Sequence, residues 1–281
     1  FVIENSLVTV AQTDQAKEQW SELAHKIITV PVPIDTDRLV LDQNIKREDY
    51  VLCVAAVENI KGHNFIARAC NELGLNLLVI GNPGDDKAVE NLRKEINISN
   101  DRIVWIENSI PFDELIEYYK RCRVFAMTTL MDVPGLVYLE ALSCGANVVA
   151  SEQGDYKSEN PKIVRCSLDN NSVKTALLTA WDMPYGDEGR EYVIEKHHPE
   201  NCVSLYDNLI YKGSWNQDYD IAKKVVLSRA VYRLQSRLYE YVQDRTSLYH
   251  RAHQHKIVLQ LKGSNAIRNP RKHFPHAACP A

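Results

Sequence analysis

The sequence has no apolar run approaching the roughly eighteen residues that a membrane span requires, so nothing in its 281 residues reads as a transmembrane helix. It has no CxxC pair either. The seven cysteines are scattered singly, several of them inside apolar runs such as VLCVAAV. That pattern suits small core residues in a reducing compartment better than a disulfide framework. No secretory signal pattern opens the chain, and cytoplasmic residence is the expectation. A chain that begins on Phe1 instead of Met is expected to lack its native start. Neither sign of charge dominates: 33 Lys and Arg face 37 Asp and Glu, for a net charge of -4, which leaves the whole molecule no reason to seek nucleic acid. No internal repeat is present.

The balance is uneven along the chain. From Tyr219 onward there are twelve Lys and Arg against Asp220, Glu240 and Asp244, so the preceding body is acidic. A basic end on an acidic body points to a local anionic partner, and peripheral contact with the membrane inner face is one form of it.

From Tyr50 the chain alternates short apolar runs with amphipathic stretches. The runs are Tyr50–Val57, Leu75–Ile80, Arg102–Ile106, Arg123–Met127 and Asn147–Ala150. The helical patterns between them cover Asn64–Leu73, Lys87–Ile96, Phe112–Arg121 and Gly135–Cys144. Short strands separated by helices of about ten residues predict βαβ units and a parallel sheet. Burial of both faces accounts for the nearly continuous apolarity of VLCVAAV and LNLLVIG. A further strand is expected at Lys162–Cys166, then helices to about Ile210 and a linker at Gly213–Asn216. Residues Asp220–His250 read as one amphipathic helix with a seam of Leu227, Val231, Leu234, Leu238 and Tyr241, broken by Arg245. The last ten or so residues, with Pro270 and Pro275 just ahead of or among them, are expected to be disordered.

Three segments lie just past the carboxyl ends of predicted strands, where open α/β sheets bind ligands. They are VENIKGH with Lys61, the Gly81–Asp86 loop GNPGDD, and DVPGLVYLEALSCG, which runs from a loop into a helix. In the third, Asp132 and Glu140 stand eight residues apart, with Pro134–Gly135 opening the helix. The bare amides at Gly135, Leu136 and Val137 form a positive pole suited to phosphate. A carboxylate at each end of an anion site suits a ligand with hydroxyls at both ends and a diphosphate between, as in a nucleotide diphosphate sugar. Lys61 supplies a cation opposite the diphosphate.

These segments resemble the donor-binding domain of the GT-B glycosyltransferases, particularly the retaining family 4. VAAVENIKGHNFIARA resembles that family's strand, Lys-Gly loop and helix. DVPGLVYLEALSCGANVVAS resembles its signature of two acids eight apart followed by a Gly and a strand. KIITVPVPIDTDRL resembles the interdomain crossing. The likeness covers about Ile27 to Ile210. It implies a Rossmann-like twisted parallel sheet flanked by helices, the donor half of a GT-B fold, with the long helix as a C-terminal extension. The implied organisation is an acceptor-side remnant and crossing over 1–35, a donor-binding domain over 36–212, and a helical extension with a basic tail over 213–281. Phe1–Ile34 resembles the last strand and helix of the acceptor half (FVIENS, then TDQAKEQWSELAHKI), so the rest of that half is expected to lie upstream or on a partner chain.

Residue by residue, the resemblance assigns Glu140 to the ribose hydroxyls and Asp132 to the donor sugar. The amides of Gly135 and Leu136, with Lys61, hold the diphosphate as it leaves. The loop around Glu107–Ile110, including Asn108, lies near the base, and Gly81 opens the neighbouring loop. Asp132 and Lys61 are the implied catalytic pair. No metal cofactor is expected, because cationic side chains and a helix terminus take its role. The implied partners are a nucleotide-sugar donor and a carbohydrate or lipid-linked acceptor. The sequence departs from the family twice: Ala56 stands where an Arg usually precedes the Lys by five residues, and Asp132 replaces a Glu.

Plainer readings compete at each position. Lys61 also reads as a solvated lysine near a helix start, and Asp132 as a helix cap. Glu140, among Leu139, Ala141 and Leu142, needs a partner if buried. His63 reads more readily as a helix-start histidine with a backbone partner than as an acid/base. The pair His197-His198 has no completing ligands for a metal, and His250, His253 and His255 read as the polar end of the long helix. An alternative to the transferase is a non-catalytic nucleotide-binding or assembly module of the same fold. Another is a GT-B relative such as an epimerase or a phosphorylase, though the latter lacks a recognisable pyridoxal-lysine context.

Overall fold

A computed structural model describes residues 9–22, 26–130, 135–153 and 160–212. The linker, the long helix with its seam, the three tail histidines and the basic tail all lie outside the described residues.

The chain opens with a small parallel unit: β1 (Thr9–Ala11), α1 (Asp14–Trp20) and β2 (Ile27–Thr29). Thr13 caps α1 by accepting from the Ala16 amide at 3.1 Å. The helical expectation for TDQAKEQWSELAHKI is therefore corrected at its end. The helix stops at Trp20, and the β-branched Ile27, Ile28 and Thr29 pair with β1 instead.

The main body follows as β3 (Glu48–Val54), a 3₁₀ turn (Asn59–Lys61), α2 (His63–Leu73), β4 (Asn76–Ile80), α3 (Asp86–Asn97), β5 (Ile103–Ile106), α4 (Phe112–Arg121), β6 (Cys122–Met127), α5 (Leu136–Ser143), β7 (Asn147–Ser151) and β8 (Ile163–Cys166). Then come α6 (Asn170–Asp182), α7 (Glu188–His197) and α8 (Pro199–Lys212). The strands form one six-stranded sheet in the order β5-β4-β3-β6-β7-β8, and every pairing is parallel.

Period-two alternation divides the strand residues between two cores. Val51 and Cys53 of β3, Val124 and Ala126 of β6, and Val149 of β7 face the layer containing α2, α3 and α6. Leu52, Phe125, Met127, Val148 and Ala150 face the layer containing α4, α5 and α7. Each fully buried Leu, Val or Phe contributes roughly 1.5–3 kcal/mol, so a sheet covered on both faces is the stable arrangement for these sequences. The described cysteines are all free and buried, and burial pushes the thiols of Cys53, Cys122 and Cys144 up to about 12. They are inert core residues.

The segment leading into the sheet is strapped to α7. His197 Nδ1 lies 2.9 Å from the Val32 carbonyl oxygen, and the Ile34 amide donates to the His197 carbonyl at 2.8 Å. The His197-His198 pair is thus explained by chain packing. The Arg190 guanidinium donates to the carbonyls of Thr36 (3.1 Å) and Leu39, and to the hydroxyl of Ser143 (3.2 Å) at the end of α5. Arg190→Ala is expected to destabilise the chain by about 2–3 kcal/mol, because charge-assisted bonds are lost and partly buried carbonyls are left open. Arg190→Lys should recover only part, since an ammonium lacks the planar fork. Urea denaturation with an unchanged slope is the measurement.

Candidate functional site

In the sheet order the direction of winding reverses between β3 and β6, and doubly wound sheets place their ligand crevice beyond the carboxyl ends of the strands at such a point. The loop after β3 carries Lys61, and the loop after β6 leads into α5. Sixty-odd residues separate these segments in sequence, and the sheet sets them side by side.

The two loops are laced together. The Thr128 hydroxyl donates to the Gly62 carbonyl at 2.8 Å, the Thr129 hydroxyl to the Ile60 carbonyl at 2.9 Å, and the Leu130 amide to the same Ile60 carbonyl at 2.7 Å. Gly62 makes this approach possible. Its φ is +67°, and a Cβ there would lie 2.0 Å from the Thr128 carbonyl oxygen. Lys61 ends the 3₁₀ turn and is buried, which removes the reading of a solvated surface lysine.

The GNPGDD loop braces the Lys61 loop from the other side. The Val57 carbonyl accepts from the amides of Gly84 and Asp85, both at 3.1 Å, and the Asp85 carboxylate accepts from the Asn59 amide at 2.8 Å. At Gly81 a Cβ would lie 1.9 Å from the Ala55 carbonyl oxygen, so backbone proximity explains this glycine. Asn82 continues the wall. Its side chain receives the Ser109 amide at 3.0 Å and donates to the Ser109 hydroxyl at 3.1 Å, holding the loop that contains exposed Asn108. Asn108 follows β5 at the sheet edge, two strands from β3.

On the other side of the crevice, α5 begins at Leu136 with buried Gly135 as its cap residue. The Tyr138 amide is taken by the Gly135 carbonyl at 3.1 Å, and the Tyr138 hydroxyl anchors the helix to the Met127 carbonyl at the end of β6 (2.9 Å). Asp132 and Pro134 lie outside the described residues. Glu140 is fully buried, and its Oε2 accepts from the Tyr119 phenol at 2.8 Å. Tyr119 comes from the last turns of α4. Sequence reading missed it because nothing local marks a tyrosine in IEYYKR as the partner of a carboxylate 21 residues on. Thr128 and Thr129 were also missed. The signal available was a Thr pair directly after the apolar run VFAM, at a carboxyl strand end.

His63 opens α2 beside Lys61. It is 3% exposed, and neither ring nitrogen has a partner in strict hydrogen-bond geometry. The backbone of Ala55 acts on the ring as a hydrogen-bonding partner, in keeping with a helix-start histidine that has a backbone partner. Burial pushes its pKa down to about 4; the neighbouring backbone of Ala55 opposes this shift and the Lys61 ammonium adds to it.

A cavity of about 510 Å³ lies at the opposite, amino-terminal end of the strands, lined by residues that include Lys46, Arg47, Glu48 and Arg121. Its two arginines are engaged: Arg121 pairs with Glu48 at 3.3 Å, and Arg47 donates to the carbonyls of Tyr119, Cys122 and Cys144. The switch-point crevice, with its helix terminus and buried lysine, is the better candidate on chemistry.

A doubly wound parallel sheet in this order, with a Lys-Gly loop and a Gly-opened helix meeting at the reversal point, is a domain of the GT-B glycosyltransferase fold. Residues 37–160 match the family described as glycosyl transferases group 1. The chain is 29% identical, over 44% of its own length and 38% of the other's, to a GDP-mannose-dependent alpha-(1-6)-phosphatidylinositol monomannoside mannosyltransferase of Mycolicibacterium smegmatis. It is 26% identical, over 38% of its length and 25% of the other's, to a D-inositol 3-phosphate glycosyltransferase of Mycobacteroides abscessus. Among solved structures it is similar to sucrose-phosphate synthase from Thermosynechococcus elongatus, with a TM-score of 0.64 at 20% identity, covering 75% of this chain and 59% of that one. The chain thus spans well under half the length of these two curated relatives. Among the described residues no helix is long and apolar enough to cross a membrane.

Proposed function

We propose that this chain is the donor-binding part of a glycosyltransferase that moves a sugar from a nucleotide diphosphate sugar to an acceptor hydroxyl with retention of configuration. The observation that carries the reading is the placement of buried Lys61 and the start of α5 after adjacent strands of the sheet. A cation and a helix amino terminus facing one crevice suit a diphosphate. In the transfer, the acceptor oxygen forms a bond to the anomeric carbon as the bond from that carbon to the diphosphate breaks. The diphosphate leaves with the electron pair, and the hydroxyl proton passes to it. Lys61 and the amides of Gly135 and Leu136 stabilise the leaving charge, so the reading includes no metal. Asp132 is assigned to the donor sugar, Glu140 to the ribose and the Asn108 loop to the base. The acceptor class is a carbohydrate or a lipid-linked sugar. The named mycobacterial relative acts on a phosphatidylinositol mannoside, which favours glycolipid or polysaccharide assembly and makes GDP-mannose the first donor to test.

Calorimetric titration with UDP, GDP and ADP tests this. At least one is expected to bind, with affinity unchanged by EDTA. Lys61→Ala is expected to weaken that diphosphate about ten- to hundredfold while leaving the corresponding nucleoside untouched. Equal losses for nucleoside and diphosphate would place Lys61 elsewhere. Ala56, in the position of the family's usual second cation, favours one other reading: a module of this fold that binds nucleotide without transferring sugar. Binding without turnover, after the acceptor half has been supplied, would select it.

A further inference from the structure

Buried Ser151 is the last residue of β7 and has no place in the transfer chemistry above. Its hydroxyl donates to the carbonyl of Thr129, just past the end of β6. That carbonyl belongs to the Thr129–Leu130 peptide, whose N–H donates to the Ile60 carbonyl at 2.7 Å. A peptide unit is planar, so holding its oxygen also sets the aim of its N–H. The Ile60 carbonyl receives the Thr129 hydroxyl as well, at 2.9 Å. It belongs in turn to the Ile60–Lys61 peptide, whose N–H donates to the Glu58 carbonyl at 3.0 Å. Two rigid planes in series therefore connect one serine hydroxyl to the peptide that bears the Cα of Lys61. Bonds that share a peptide polarise one another, and in a buried setting such a run holds as a unit. Its outer end is tied too, because the Arg165 guanidinium of β8 donates to the Ser151 carbonyl at 3.1 Å. The run thus passes along the carboxyl ends of β8, β7, β6 and β3, which are neighbours in the sheet. The strand itself does not need the hydroxyl, since Ser151 pairs with Cys166 of β8 in the ladder.

We propose that Ser151 is a positioning residue for Lys61: through the Thr129–Leu130 peptide its hydroxyl sets the orientation in which the Lys61 loop presents its ammonium to a diphosphate. The proposal rests on the donor-site reading, in which Lys61 holds that diphosphate. Ser151 touches no part of the donor, so its whole effect on affinity passes through Lys61.

The test uses the full chain with UDP, GDP and ADP as probes. Ser151→Ala is expected to bind the preferred diphosphate about tenfold more weakly than the wild type, with binding of the corresponding nucleoside unchanged. Ser143→Ala is the matched control, because its buried hydroxyl likewise donates to a backbone carbonyl, that of Leu39 at 2.7 Å, at the far end of α5. It is expected to lower the melting temperature at least as much and to keep wild-type affinity for the diphosphate. In the Lys61→Ala background, Ser151→Ala is expected to cause no further loss, since nothing is left to position. Wild-type affinity in Ser151→Ala overturns the proposal, and so does an equal loss of affinity in Ser143→Ala. Losses that add in the double variant, or that fall on nucleoside and diphosphate alike, overturn it as well. A wild-type chain that binds none of the three nucleotides removes the donor-site reading, and this proposal with it.

Discussion

Gly62→Ala is expected to destabilise the chain by about 3 kcal/mol or more and to weaken nucleotide binding at least about a hundredfold. Two effects combine. An L-residue at a φ of +67° pays about 1–2 kcal/mol, and the new Cβ would stand 2.0 Å from the Thr128 carbonyl oxygen. That neighbour is backbone at the end of a central strand, so it cannot rotate aside. The loop must lift away, breaking the bonds that join Ile60 and Gly62 to Thr128, Thr129 and Leu130, and taking Lys61 with it. Gly74→Ala is the control. Its φ is nearly the same at +69°, but nothing lies within 4 Å of the added Cβ, so only the conformational cost remains. Parallel urea denaturation separates the two contributions. Equal losses in both variants would show that the loops are not locked at this contact.

Glu140 is expected to give the second large effect, and its variants separate a ligand group from a core group. Glu140→Ala should cost about 3–5 kcal/mol, because it opens a cavity in the core and strands the Tyr119 hydroxyl. Glu140→Gln keeps an oxygen for Tyr119 and should cost about 1 kcal/mol. If Glu140 also holds the ribose, Glu140→Gln weakens nucleoside diphosphates about tenfold while leaving inorganic pyrophosphate unaffected. Tyr119→Phe sharpens the comparison. Where the phenol and a ribose hydroxyl compete for the same carboxylate, removing the phenol leaves nucleotide affinity equal or higher even though the free chain is less stable. Should both substitutions lower stability with no change in nucleotide affinity, Glu140 is a structural anchor for α4 and α5, and the ribose must be held by another group.

The order and type of elements from Tyr50 to Ile210 were legible because local periodicity encodes them. Apolar runs of four to eight residues can only be doubly buried strands when amphipathic stretches of about ten separate them, and β3 to β8 begin and end within three residues of the expected limits. The DVPGLVYLE spacing likewise placed Gly135 at the head of α5 and Glu140 inside it. The first thirty residues were read less well. Lys26 and Ile27 were assigned to a helix, because a three-residue strand has too few positions to show a period.

The sequence by itself determined a parallel α/β sheet, a lysine after its first strand, and a glycine-opened helix after its fourth. Only the tertiary structure decided that these two segments adjoin, since strand order depends on which faces the crossover helices cover and not on any local pattern. The same holds for the partners of the buried groups. Tyr119 reaches Glu140, and Thr128 reaches Gly62, because each outcome is set by how separate elements pack. Burial turns such groups from ordinary surface polarity into chemistry, and burial is a property of the assembled fold.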